Sequence, residues 1–194
     1  MNKVPDLRFA GFSGEWEEKK FSDNFNTTIP KNSLSRDKLT NEPRKIKNIH
    51  YGDIHKNFNN ILQSSDDFIP YIIDDDISYY ERYFLQDGDI IFADAAEDNT
   101  AGKCIELDID DNSNIIAGLH TIPARPTQSG KYFYGFYLNS SNFHNKIIPL
   151  LEGTKVSSIS KTNLNTLTVI VPDINEQEKI GDLFKKIDSI IEIQ

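Results

Sequence analysis

The chain has 194 residues, 38% of them hydrophobic and 21 of them aromatic, which favours one folded domain and excludes a disordered chain. No apolar run is long enough to span a membrane and no signal peptide follows Met1, so a cytoplasmic protein is expected. The single cysteine, Cys104, excludes an intrachain disulfide and a thiolate-rich zinc site. The four histidines lack the i, i+4 spacing of a helical metal site.

The net charge of −9 argues against a nucleic-acid partner, because DNA affinity draws on lysine and arginine. The charge is unevenly distributed, however. Residues 1–65 carry +3, residues 66–111 carry −13 and residues 112–194 carry +1. Within the first block, residues 31–56 hold seven bases against three acids. One local surface is therefore suited to phosphates, while a basic partner is expected to supply the remaining positive charge.

The chain is predicted to be irregular over residues 17–48, with a short helix near residues 33–39. It opens with a segment whose apolar side chains, from Leu7 to Trp16, are expected to anchor to a core. Ile49 and Ile54 flank a Gly52-Asp53 turn, so a strand is predicted to break there into an exposed loop. Residues 64–82 are predicted to be an acidic, solvated loop. Calcium binding is the lesser alternative, since the EF-hand spacing is absent.

The remainder is predicted to contain both strands and helices. Strands are predicted at residues 90–93, 103–107 and 115–119, and the apolar and aromatic run at 132–138 is grouped with them. A helix should begin at Ser140 or Ser141 and end at Gly153, shortened by Pro149. A last strand is predicted over residues 164–171.

The tail is predicted to be an amphipathic helix from Glu176 to Gln194, roughly 28 Å long, with Asn175 as its N-cap. Its apolar seam pairs with a helix of another chain or folds back on the domain, and pairing is favoured. The residues of this seam are Ile180, Leu183, Phe184, Ile187, Ile190 and Ile191.

No motif for a nucleophile, a phosphate loop or a dinucleotide site appears, so no catalytic residue and no cofactor are assigned. Polar loops between strands offer groups suited to base edges instead, and scattered lysines suit phosphates. The candidate base contacts are His50, Tyr51, His55, Asn99, Lys103, His120 and Arg125. The candidate phosphate contacts are Lys45, Lys47, Lys56 and Lys155. For each of them an ordinary structural or surface role is the alternative.

Several segments in order along the chain resemble one family. They include Pro5-x-Leu7-Arg8-Phe9-x-Gly11-Phe12 with Trp16-Glu17, the loop His50 to His55, Gly88 to Asp98, Ala117 to Thr121, and Glu176-Gln177-x-Lys179-Ile180-Gly181. Together they resemble the specificity subunit of a Type I restriction–modification system. Residues 1–172 would form one target-recognition domain with a mixed α/β fold, and residues 173–194 would begin a spacer helix. The chain would thus be a half subunit.

The resemblance implies sequence-specific recognition of double-stranded DNA without catalysis by this chain. Its expected partners are methylating subunits, which carry S-adenosylmethionine, and a motor and nuclease subunit. A second recognition domain or a second copy of the chain would complete the pair of readers. Two alternatives come from other classes. The −13 block suggests an acidic DNA mimic or interaction protein, and Asp89 with Asp94 suggests a metal-dependent hydrolase.

Overall fold

A computed structural model describes residues 3–65, 68–110 and 113–192 and confirms the mixed α/β class. The strands are β1 (Glu17–Lys20), β2 (Phe25–Asn26), β3 (Leu39–Thr40), β4 (Lys47–Ile49), β5 (Ile61–Gln63), β6 (Tyr71–Ile72), β7 (Ile90–Ala93), β8 (Ala95–Ala96), β9 (Cys104–Asp108), β10 (Ile115–Ala117), β11 (Thr121–Pro126), β12 (Ser157–Ser158) and β13 (Thr168–Val171). The α-helices are α1 (Phe21–Asn24), α2 (Tyr51–Lys56), α3 (Ile77–Tyr80), α4 (Phe133–Asn139), α5 (Ser141–Ile147), α6 (Lys161–Thr166) and α7 (Ile174–Glu192). Short 3-10 turns lie at Arg36–Lys38, Glu81–Tyr83 and Ile148–Leu150.

Two mixed sheets form the centre of the domain. The larger has the strand order β2-β11-β7-β9-β5, and the smaller has the order β10-β4-β6-β3. The pairs β5–β9 and β10–β4 are parallel, whereas the other pairs in these two sheets are antiparallel. Two further antiparallel pairs lie outside these sheets. The pair β1–β13 joins strands near the two ends of the chain, and the pair β12–β8 holds the segment that follows β7.

Side-chain alternation along β7 divides the interior into two layers. Ile90 and Phe92 face a core that the helices α1, α4 and α5 cover, whereas Ile91 and Ala93 face a second core toward the smaller sheet. This is the period of two that a strand buried on both faces requires. The smaller sheet repeats the pattern, because Ile115 faces the second core and Ile116 faces a third. The larger sheet therefore lies between the helices and the smaller sheet.

Two segments predicted as loop and strand are helices, and both predictions were wrong. The segment after Ile49 forms α2, because the His50 ring accepts a hydrogen bond from the Gly52 backbone N–H and caps the first turn. The aromatic run forms α4, because the buried carboxylate of Glu106 accepts hydrogen bonds from the backbone N–H groups of Tyr132 and Gly135. A partner 26 residues upstream thus sets the local structure at Tyr132.

Other boundaries also differ from the sequence prediction. The predicted last strand begins with the helix α6, and only Thr168–Val171 is extended. Asp173, not Asn175, caps α7, since its carboxylate accepts hydrogen bonds from the N–H groups of Asn175 and Glu176. The predicted cap at Ser140 is confirmed, and the helix it starts gives way to a 3-10 turn at Pro149. The last two residues of the predicted tail helix lie outside the described residues.

The opening segment, residues 3–16, lies against α7 and is called the N-terminal strap below. Phe9, Phe12 and Trp16 are partly buried there, but Leu7 is 91% exposed, so the expectation that it anchors to the core was wrong. Across the described ranges, no helix combines the length and apolar character that crossing a membrane requires.

Candidate nucleic-acid interface

Four side chains predicted to contact DNA meet at one edge of the two sheets. Because β4 and β10 are parallel neighbours, the residues that follow them, His50 and His120, emerge at the same edge. The Tyr51 ring lies between them, with centroid distances of 4.7 Å to His50, 5.2 Å to His120 and 6.4 Å to His55. This group and its neighbours Lys31, Asp94, Asn99 and Thr100 are called the polar edge.

The chain after β10 passes so close to the end of β4 that position 118 requires a glycine. A Cβ there would lie 2.5 Å from the Asn48 amide nitrogen and 2.8 Å from the Ile49 carbonyl oxygen. The turn that follows holds His120 at a φ of 55°, a left-handed conformation that is uncommon for a side chain larger than glycine. The backbone therefore places the His120 ring on the edge.

His50 is a neutral hydrogen-bonding group in this setting. Burial lowers the pKa of His50 below its ordinary value, and the nearby Arg36 and His120 act in the same direction. Its Nδ1 accepts the Gly52 N–H at 3.2 Å, so the remaining proton is on Nε2. A neutral imidazole of this kind can donate one hydrogen bond to an acceptor outside the protein.

Asp94 joins His120 to Lys31. Its two carboxylate oxygens contact His120 Nδ1 at 3.0 Å and Lys31 Nζ at 3.1 Å. The carboxylate thus neutralises part of the positive charge at the edge and orients both partners. Asp89, the other residue of the hydrolase alternative, precedes β7, whereas Asp94 follows it. Five residue steps along an extended chain put roughly 17 Å between their positions, so the two acids do not share a site.

An ion pair and hydrogen bonds from a lysine attach helix α2 to the rest of the domain. Both oxygens of the buried Asp53 carboxylate accept hydrogen bonds from Arg36, each at 2.7 Å. Lys103 Nζ donates to the Phe58 carbonyl at 2.9 Å and to the His55 carbonyl at 3.4 Å, and burial lowers the pKa of Lys103. Lys103 therefore supports the end of α2, a structural role that its geometry favours over the expected base contact.

Three further candidates lie in or beside the polar edge. Lys56 is exposed at the end of α2, and Asn99 is exposed in the loop whose Thr100 lies 3.4 Å from His55 Nδ1. Lys155 is exposed in the turn before β12, which pairs with β8 next to that loop. A cleft beside Asp94 is lined by Lys31, Ser160 and Lys161, among others.

The remaining candidates lie elsewhere. Lys45 and Lys47 are at the opposite end of β4 from His50, where the Lys45 backbone N–H donates to Asp75 and Lys47 Nζ donates to the Ser64 carbonyl at 2.6 Å. Arg125 is at the opposite end of β11 from His120. Its guanidinium donates to both oxygens of Asp89, which is fully buried, at 2.7 and 2.8 Å. That ion pair favours a structural role for Arg125.

The sequence did not single out Lys31, a member of the polar edge, or Lys161, which lines the cleft beside Asp94. Lys31 belongs to the basic block at residues 31–56, and that block was the available signal. Lys161 follows the Ser160 cap of α6, where sequence gave no indication of proximity to Asp94. Within the three described ranges, no group of three or more histidine, cysteine or acidic side chains is arranged to hold a metal ion.

Helix α7 divides into a docked half and an exposed half. Glu176, Gln177 and Gly181 are buried, and Ile180 packs on the core of α4 and α5. The rest of the predicted seam is exposed, from 40% at Ile187 to 64% at Ile191, and comprises Leu183, Phe184, Ile187, Ile190 and Ile191. The first half of α7 therefore packs against the domain, and the second half exposes an apolar stripe.

Aromatic, histidine and lysine side chains on one edge of a mixed α/β domain, joined to a half-exposed amphipathic helix, are typical of a recognition domain that works in a larger assembly. The family described as "Type I restriction modification DNA specificity domain" matches residues 13–194. The chain belongs to this family.

The solved structures that the chain resembles agree with this assignment at the level of fold. An S subunit of a Type I restriction–modification system from M. genitalium matches with a TM-score of 0.57 and 14% identity over 98% of this chain. The HsdS subunit from Thermoanaerobacter tengcongensis matches over 99% of this chain with a TM-score of 0.52 and 14% identity. A chain from a study of complex assembly and conformational transition of the type I R-M system matches over 95% with a TM-score of 0.59 and 14% identity. This chain spans about two-fifths of each, namely 42%, 41% and 41%. A comparison with curated protein sequences found no match.

Proposed function

We propose that the chain recognises one half of a bipartite sequence in double-stranded DNA and that the polar edge contacts the bases. In this proposal residues 1–172 are the target-recognition domain and residues 173–194 begin the helix that joins it to a complex. The observation that carries the assignment is the meeting of His50, Tyr51 and His55, from α2 and its cap, with His120, from the turn after β10, at one edge. Family membership supports DNA as the ligand.

The side chains of the edge suit a base-reading role. Imidazole rings and a phenol offer single hydrogen-bonding groups, which base edges in the major groove can match. Lys56 and Lys155 flank the edge and are exposed, so they are assigned to phosphates. These few lysines supply limited charge for a chain of net charge −9, so a basic partner contributes to DNA affinity in the assembled complex.

The partners in this proposal are those of a Type I restriction–modification complex. Methylating subunits would supply S-adenosylmethionine and the transfer of the methyl group, and a motor and nuclease subunit would supply cleavage. A second recognition domain, or a second copy of this chain, would read the other half of the sequence. The chain itself would direct these activities without taking part in the chemistry.

The test begins with mapping methylated sites in cells that express the chain with its methylating subunits, which defines the cognate sequence. His120→Gly then removes the ring while permitting the left-handed backbone. We expect a loss of roughly 1–3 kcal/mol on the cognate sequence and almost none on a scrambled duplex. Fluorescence anisotropy of the assembled complex measures both.

Lys155→Ala is the matched control. A phosphate contact carries no sequence information, so this variant should weaken cognate and scrambled binding alike. It should also reduce the slope of log affinity against log salt by about one. If His120→Gly lost equal affinity for both duplexes, the polar edge would not be the surface that reads the bases.

A further inference from the structure

The N-terminal strap is tied to the first turn of α7 by a buried ion pair. Arg8 Nε and Nη2 donate to the two carboxylate oxygens of Glu176 at 2.8 and 2.7 Å. The Glu176 side chain is 1% exposed, and Arg8 Nη1 also donates to the Gly14 carbonyl within the strap. A two-pronged arginine–carboxylate contact fixes the relative orientation of its partners as well as their separation. The strap therefore restrains the direction of the helix.

A second contact holds α7 from its other side. The Gly130 backbone N–H donates to Gln177 Oε1 at 3.0 Å, and Gln177 Nε2 donates to the Pro172 carbonyl at 2.9 Å. One turn later, Gly181 lies directly on the backbone before α4. A Cβ on Gly181 would be 2.1 Å from the Lys131 carbonyl oxygen. The first half of α7 is thus clamped between the strap and residues 130–133.

Beyond this clamp the helix continues without comparable restraint. Phe184 lies 5.5 Å from Phe136, and the apolar residues that follow are exposed. The ten residues from 183 to 192 extend about 15 Å at 1.5 Å per residue. A rotation of about 10° at the clamp would move the far end by almost 3 Å. That displacement is close to the 3.4 Å rise of one base pair, so the angle at the clamp matters for DNA register.

We propose that Arg8 and Glu176 are positioning residues that set the direction in which α7 leaves the recognition domain. Through that direction they restrict the spacing at which the complex accepts this half-site and the second one. This inference rests on the proposed function and adds to it the residues that enforce spacing at the domain. Neither side chain contacts DNA in this arrangement.

The direction of α7 can be measured without DNA. Cys104 is fully buried, so nitroxide labels react selectively with cysteines introduced by Asn145→Cys on α5 and Ser189→Cys on α7. Double electron–electron resonance then gives the distribution of distances between the two labels. Arg8→Met together with Glu176→Gln removes both charges, so no unpaired buried charge remains to unfold the chain. We expect this double variant to widen the distribution at least twofold.

Lys3→Met is the matched control, because it breaks an exposed ion pair between the strap and Glu18 of β1 and leaves α7 untouched. Its distance distribution should equal that of the parent chain. An unchanged width in the Arg8→Met/Glu176→Gln variant would overturn the proposal.

The second measurement is the set of methylated sites in cells that express each variant with the methylating subunits. The double variant should accept half-site spacings one base pair longer or shorter while the bases read in this half stay the same. Strict spacing in the double variant, or a change in the bases themselves, would overturn the proposal. If the parent chain directs no methylation, the proposed function fails, and the label distances still decide whether the pair positions α7.

Discussion

At the scale of single residues, buried carboxylates connect parts of the chain that are distant in sequence. Their partners are a guanidinium or backbone N–H groups, so each buried carboxylate has hydrogen-bond donors. The pairs are Asp53 with Arg36, Asp89 with Arg125, Glu106 with the N–H groups of Tyr132 and Gly135, and Glu176 with Arg8. Removing one member of such a pair should therefore affect folding more than binding.

Arg125 gives the sharpest case, since its sequence context predicts a guanine contact. Arg125→Ala leaves the Asp89 carboxylate buried without a cation, which should cost about 3–5 kcal/mol of unfolding free energy. Urea denaturation measures the loss. The exposed Lys155→Ala should stay within about 0.5 kcal/mol of the parent chain. A stable Arg125→Ala variant with an altered base preference would contradict this structural role and support a base contact by Arg125.

Glu106 predicts a particular dependence of stability on pH. Burial raises the pKa of Glu106 from 4.5 to about 7, and the nearby Asp87 and Asp108 act in the same direction. Between these values the unfolded chain releases the proton that the folded chain retains. The unfolding free energy should therefore fall by about 3 kcal/mol as the pH rises from 4.5 to 7, with no further loss from this group above that range.

Urea denaturation at several pH values from 5 to 8 tests this dependence. Glu106→Gln removes the titrating group, so the stability of this variant should depend less on pH between 5 and 7. The variant keeps one acceptor oxygen for the two backbone donors, and its stability at pH 5 should be below that of the parent chain. Parallel pH profiles for the two proteins would show that Glu106 titrates outside this window.

At the scale of elements, the packing of α7 against residues 130–133 depends on the absence of a side chain at position 181. In an isolated helix, Gly181→Ala would add up to about 1 kcal/mol of stability through helix propensity. Here the added Cβ would meet the Lys131 carbonyl at 2.1 Å, so overpacking should lower the unfolding free energy by about 1–3 kcal/mol instead. Thermal denaturation and hydrogen exchange of residues 174–181 measure the change.

Asp182→Ala provides the comparison, because the neighbouring side chain is exposed and the substitution has a similar effect on helix propensity. This variant should match or slightly exceed the stability of the parent chain. A gain of stability for Gly181→Ala would mean that the helix can shift away from residues 130–133 without cost.

The same contacts explain which elements the sequence could predict. The strand β7 was found because it is a continuous apolar run, and the tail helix α7 was found because its apolar residues recur every three to four positions. Helix α4 was not found, because its aromatic run has strand propensity and its first turn is stabilised by Glu106 of β9. Helix α2 contains Gly52, which weakens a helical prediction, and Asp53 finds its partner Arg36 only in the fold.

The candidate site was predictable in part for a similar reason. His50, Tyr51, His55 and His120 stand in polar segments between apolar ones, so sequence places them on the surface. Their meeting depends on the parallel pairing of β4 with β10, which no local pattern reveals. Lys103 and Arg125 look equally exposed in sequence, and only their hydrogen bonds to backbone carbonyls and to Asp89 distinguish them.

At the scale of the whole molecule, the exposed half of α7 is expected to attach the domain to its assembly. Ile190 and Ile191 are 61% and 64% exposed, so Ile190→Lys with Ile191→Lys should leave the urea midpoint of the isolated chain unchanged. Burial of both side chains against a partner is worth several kcal/mol, so binding to the methylating subunits should weaken at least tenfold. Sedimentation velocity measures the assembly.

Ser189→Lys adds a charge to the same turn without removing an apolar side chain, and it should assemble as the parent chain does. Undiminished assembly of the double lysine variant would place the attachment surface elsewhere on the domain.

The two ends of β11 carry different duties. His120 precedes the strand and belongs to the polar edge, whereas Arg125 lies near its other end and compensates the buried Asp89. Substitutions around His120 and Asn99 alter exposed groups and leave that compensated charge intact. If the polar edge reads bases as proposed, substitutions there can change the recognised DNA sequence during evolution, while the ion pair at the opposite end of β11 keeps the protein foldable.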